Sequence, residues 1–73
     1  MAEKLLQIRK HLGLSQHQLV KHLNVDIPSN NISKYENDIN EPPIDVLLAY
    51  VRAVGIPLEQ IVDDDLDLTF PAS

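Results

Sequence analysis

The sequence predicts an all-α domain, a compact bundle of five short helices, and three observations predict it. Apolar residues recur at helical spacing in five separate segments. Each segment is bounded by residues that start or stop helices: Gly13, Ser15, Asn24, Pro28, Pro43, Gly55 and Pro57. The body lacks the strict alternation of a half-buried strand, which appears only in the tail at Leu66, Leu68 and Phe70. At 73 residues the chain makes one domain.

The first helix is predicted over Glu3 to Leu12, with Leu5, Ile8 and Leu12 inward and Gly13 able to close it in the left-handed conformation. Ser15 is a good N-cap for the second, and Gln18 follows at capping-box spacing, with Leu19, Val20 and Leu23 inward. Asn24 to Ser29 reads as a turn. A third helix runs from near Ser29 to about Asn37, with Ile32 and Tyr35 inward. Two asparagines and two prolines between Asn37 and Pro43 form a loop. The fourth helix starts at or after Pro43, with Ile44, Leu47, Leu48, Val51 and Val54 as its expected inner face, and Gly55 ends it. Pro57 opens a short fifth helix carrying Leu58, Ile61 and Val62.

Composition excludes several kinds of chemistry. With no cysteine, neither disulfides nor thiolate metal sites are available. His17 and His22 lie five apart, off the common helical face a metal pair needs, and together with His11 they read as solvated. No metal or cofactor is expected. There is no glycine-rich phosphate loop and no plausible set of serine, histidine and carboxylate, so an enzyme is not expected. The absence of a long apolar run or a signal-peptide stretch suggests a cytoplasmic protein with no membrane partner. The net charge of −5 argues against nucleic acid at first sight, but it is unevenly spread. Residues 1–36 sum to +2 and residues 37–73 to −7. The chain is therefore polarised, with its few cations near the candidate nucleic-acid face.

Arg9, Gly13-Leu14-Ser15-Gln16, Leu19-Val20, Leu23, Val25, Ile32-Ser33, Tyr35-Glu36, Pro43 and Leu47-Leu48 form a spaced pattern over roughly residues 3–62. The pattern resembles the phage-repressor/xenobiotic-response-element (Cro/repressor-type) helix-turn-helix family. That resemblance implies a lambda-repressor-like bundle and operator binding on double-stranded DNA, often as a two-fold homodimer. It also implies an ion pair between Arg9 and Glu36, joining the first helix to the end of the third. Gln16 matches a glutamine that contacts DNA near the backbone.

The residues support that expectation independently. A helix-turn-helix lays one helix across the backbone and one in the major groove, where base edges carry a readable donor and acceptor pattern. Between its core positions the third helix presents Ser29, Asn30, Asn31, Ser33 and Lys34. These are candidate base contacts, since asparagine pairs bidentately with adenine and lysine reaches guanine. Ser29 and Asn30 have an equally ordinary alternative as helix caps. Gln16, His17, Lys21, Asn37 and Asn40 are candidate phosphate contacts, with solvated roles as the alternative for His17 and Lys21. Arg9 shares a helical face with Leu5 and Leu12, so its head is expected to be partly buried in a structural pair.

The chain departs from the family pattern in several places. The turn from Leu23 to Ile32 is about two residues longer than usual, which either extends the loop or lengthens the third helix. Asp38 replaces the usual glycine, Val20 the usual small residue, and Ile39 and Glu41 stand where basic residues are common. Fewer phosphate contacts follow, each worth a slope of about 0.9 in the salt dependence. We divide the chain into a DNA-binding domain, residues 1–63, and an acidic tail, residues 64–73. The tail is either a solvated end or an arm that docks on a partner. The leading expectation is a dimeric transcriptional regulator on an inverted repeat. The alternative is an adaptor or antitoxin-like protein on the same fold, binding a protein partner through the acidic tail.

Overall fold

The computed structural model describes residues 1–71, so Ala72 and Ser73 at the end of the expected tail lie outside the described residues. Five helices follow in order: α1 Ala2–Leu12, α2 Gln16–Leu23, α3 Ser29–Glu36, α4 Ile44–Val54 and α5 Leu58–Val62. No strand occurs among the described residues.

Local chemistry accounts for most boundaries. Gly13, at φ 71°, turns the chain out of α1, and its N–H and that of Leu14 close onto the carbonyls of Lys10 and Arg9. Ser15 and Gln18 form a reciprocal capping box: Ser15 Oγ accepts from the Gln18 amide at 3.1 Å, and Gln18 Oε1 accepts from the Ser15 amide at 2.9 Å. Asn24 ends α2 at φ 56°, a left-handed conformation that asparagine tolerates better than most residues. The loop of residues 24–28 separates α2 from α3, and α3 spans 8 residues. Val25 and Ile27 of that loop pack against the core.

Leu5 and Ile8 of α1, Leu19 and Leu23 of α2, Ile32 and Tyr35 of α3, Val46, Leu47, Tyr50 and Val54 of α4, and Ile61 of α5 form one core with Ile56. Helix α3 packs against both α1 and α2, and α4 packs against α1, α2 and α5. The inward side of α3 is thus held while its outer side stays clear.

The expected inner face of α4 needs correction. Ile44 is 60% exposed and Leu48 36%, whereas Val46, Ala49 and Tyr50 are buried. The helix is apolar at almost every position, so periodicity alone does not choose a face. Asp45 and Arg52 choose it, because burying either charge unpaired is costly, and both end up exposed on the side that carries Ile44 and Leu48.

Among the described residues, the acidic tail forms no strand. It folds back on its own chain. Lys4 Nζ donates to the carbonyls of Gln60 and Asp63 at 2.7 Å each, and to that of Leu66. A cation there offsets the partial negative charge at the end of α5. Gln60 exchanges two hydrogen bonds with Thr69. The Phe70 ring stacks on His11 with centroids 3.8 Å apart, and Leu68 and Phe70 pack against the core.

Asp38 has φ 58°, the left-handed region, at the position where the family pattern has glycine. An L side chain there is strained and glycine is not. Asp38→Gly is expected to raise stability by about 0.5–1 kcal/mol, read from urea unfolding midpoints.

Candidate nucleic-acid interface

The candidate interface is built from α3 outward. Pro28 occupies the N-cap position of α3, and no side chain caps the helix start. Ser29 and Asn30 are therefore not side-chain caps, and their own amides keep their capacity to bind anions, whereas the Asn31 amide donates to the Pro28 carbonyl at 3.0 Å. Asn30 and Lys34 are exposed, while Ser29, Asn31 and Ser33 are half-buried along the flanks of the same face. Ile32 and Tyr35 anchor the opposite side.

The candidate phosphate contacts surround this face unequally. His17 and Lys21 are exposed on α2. Asn37 and Asn40 are exposed after α3, and Asn37 Nδ2 donates to Ser33 O at 2.7 Å and to Ser33 Oγ at 3.2 Å. Asn37 thus braces the last turn of α3 and orients the Ser33 hydroxyl. Gln16 is half-buried, and its Nε2 donates to Glu36 Oε1 at 3.2 Å.

Glu36 gathers the network together. Arg9 Nε donates to Glu36 Oε2 at 2.7 Å and Nη2 to Oε1 at 3.1 Å, while Nη1 donates to the Leu14 carbonyl at 3.0 Å. The Glu36 side chain is 4% exposed and that of Arg9 19%. The hydrogen bonds to Glu36 raise the Arg9 guanidinium above its ordinary value against the opposing effect of burial, so the guanidinium stays charged. One carboxylate therefore ties α1, the first residue of α2 and the end of α3, and the Arg9 guanidinium extends the tie to the turn before α2. Sequence reading expected the Arg9–Glu36 contact from the resemblance alone. It had no signal for Gln16 joining it, because that bond depends on how α2 and α3 cross.

Tyr50 lies beneath this network, fully buried, and its hydroxyl has no hydrogen-bond partner among the described residues. Burial, reinforced by the Glu36 charge, pushes the hydroxyl well above its ordinary pKa. A raised folded-state pKa means the unfolded chain loses its proton first as pH rises. Stability is then intact below about pH 10 and falls above it. Tyr50→Phe is expected to remove the Tyr50 share of that alkaline loss and to stabilise the protein by about 1 kcal/mol at neutral pH, since it deletes an unpaired buried hydroxyl. Urea unfolding at pH 7 and pH 11 checks both.

The all-helical fold, with α2 and α3 joined by a short turn, is that of a helix-turn-helix protein. A helix-turn-helix domain family matches residues 2–64, and the chain belongs to that family. Membership points to DNA binding and transcription regulation, and the family is typically non-enzymatic. No curated protein and no solved structure gave a significant match. Among the described residues, no helix is long and apolar enough to cross a membrane.

Proposed function

We propose that this protein is a sequence-specific regulator that binds double-stranded DNA as a dimer on an inverted repeat. One observation carries the reading: α3 presents Asn30 and Lys34 outward, flanked by Ser29, Asn31 and Ser33, on a helix whose back is locked by buried Ile32, Tyr35 and the Glu36 network. In this reading those five polar residues meet base edges. His17, Lys21, Asn37 and Asn40 meet phosphates, and Gln16 reaches the backbone while Glu36 holds it in place. The Arg9–Glu36 pair sets the angle of α3.

The body measures 28 × 26 × 19 Å. That is less than one DNA turn of about 34 Å, so a single copy reads few base pairs and a second adds specificity. The net charge of −7 over residues 37–73 favours a second reading, an adaptor or antitoxin-like protein whose acidic side binds a basic partner. For an arm-exchange version of that reading, Leu68 and Phe70 would first have to leave their own core. In either reading we place the protein in the cytoplasm.

Selection from a pool of randomised duplexes at low salt distinguishes the two. Enrichment of an inverted repeat supports the regulator. Recovery of no sequence preference after repeated rounds contradicts it.

A further inference from the structure

Among the described residues no helix covers the outer face of α4, whose Asp45 and Arg52 rim a cleft shared with residues 24–27. Ile44, Leu48 and Arg52 form one i, i+4 row on it, with Asp45 alongside, and all four are exposed. Exposed isoleucine and leucine on a row that also holds a base, with an acid beside it, make an unusual solvent face. Among the described residues neither Asp45 nor Arg52 forms an ion pair. They cannot pair with each other, because seven residues along a helix separate them by about 10 Å.

We propose that this face binds a second copy of the chain, α4 antiparallel to α4, with Leu48 at the two-fold axis. The proposal rests on the dimeric reading above and names its surface. Asp45 lies three residues before Leu48 and Arg52 four residues after it. Antiparallel packing about Leu48 therefore sets Asp45 of each copy beside Arg52 of the other, and the same contact is made twice, as a two-fold interface requires. Ile44 of each copy then lies against the aliphatic stem of the opposing Arg52. The face carries one charge of each sign around an apolar centre. A copy of itself satisfies both charges, whereas a partner of a single sign would leave one unpaired. One row of side chains is a small interface, so association without DNA is weak.

Sedimentation equilibrium of the full chain without DNA, at low ionic strength and up to about 1 mM protein, tests this. The wild type is expected to show a monomer–dimer equilibrium. Leu48→Glu and Asp45→Arg are each expected to weaken it at least about tenfold, the second by setting like charges together. The exchange Asp45→Arg/Arg52→Asp is expected to restore it. All four positions are exposed, and an unchanged circular dichroism melt establishes that each variant is folded. A wild type that stays monomeric throughout overturns the proposal. So do single variants that dimerise like the wild type, or an exchange variant that fails to recover. With no DNA in the cell, the result stands apart from whether the α3 face reads DNA.

Discussion

Arg9→Ala is expected to cost about 3 kcal/mol, among the largest losses from any change outside the apolar core. The loss comes from what is left behind. Glu36 keeps a carboxylate that is 4% exposed, with Gln16 Nε2 as its remaining side-chain donor. The Leu14 carbonyl also loses its guanidinium donor. We take the low end of the range for breaking a buried pair because the Arg9 side chain retains 19% exposure. Replacing both partners, as Arg9→Met/Glu36→Leu, is expected to cost much less than Arg9→Ala, since no charge is stranded. Urea unfolding of the three proteins measures this. A loss below about 1 kcal/mol for Arg9→Ala would mean the pair behaves like an ordinary surface ion pair. In that case the network does not hold α3.

The second large effect falls on binding. The double variant Asn31→Ala/Lys34→Ala is expected to weaken specific DNA binding roughly 100-fold, taking about 1–3 kcal/mol for each lost base contact. Thermal stability should stay within about 0.5 kcal/mol, because Lys34 is exposed and Asn31 half-buried, and neither side chain makes a hydrogen bond within the chain among the described residues. Fluorescence anisotropy against the selected duplex, repeated across salt concentrations, separates the possible contacts. If Lys34 reads a base, specificity drops. If it touches phosphate instead, all sequences weaken alike and the salt slope falls by about 0.9.

The parts of the fold legible in the sequence are those decided locally. The Ser15–Gln18 box, the glycines at 13 and 55 and the core residues of α1, α2 and α3 follow from short-range rules. The inner face of α4 was not legible from apolar spacing, because nearly every residue is apolar. The positions of Asp45 and Arg52 were the available signal. Ser29 resembles a cap in the sequence, yet Pro28 takes that position. Asp38 announced a departure from the family pattern, but its left-handed backbone showed only in three dimensions. The Lys4 contacts span 56 to 62 residues, and the Gln16–Glu36 bond spans 20. No local rule reaches such pairs, since they exist only after the helices have packed.

The central claim is that the outer face of α3 meets the duplex. It is tested most directly by recording amide chemical shifts while the labelled protein is titrated with the selected DNA. The largest changes are expected on Ser29 to Lys34, with a second group from Gln16 to Lys21. Changes confined to α4, α5 and the acidic tail would contradict the claim.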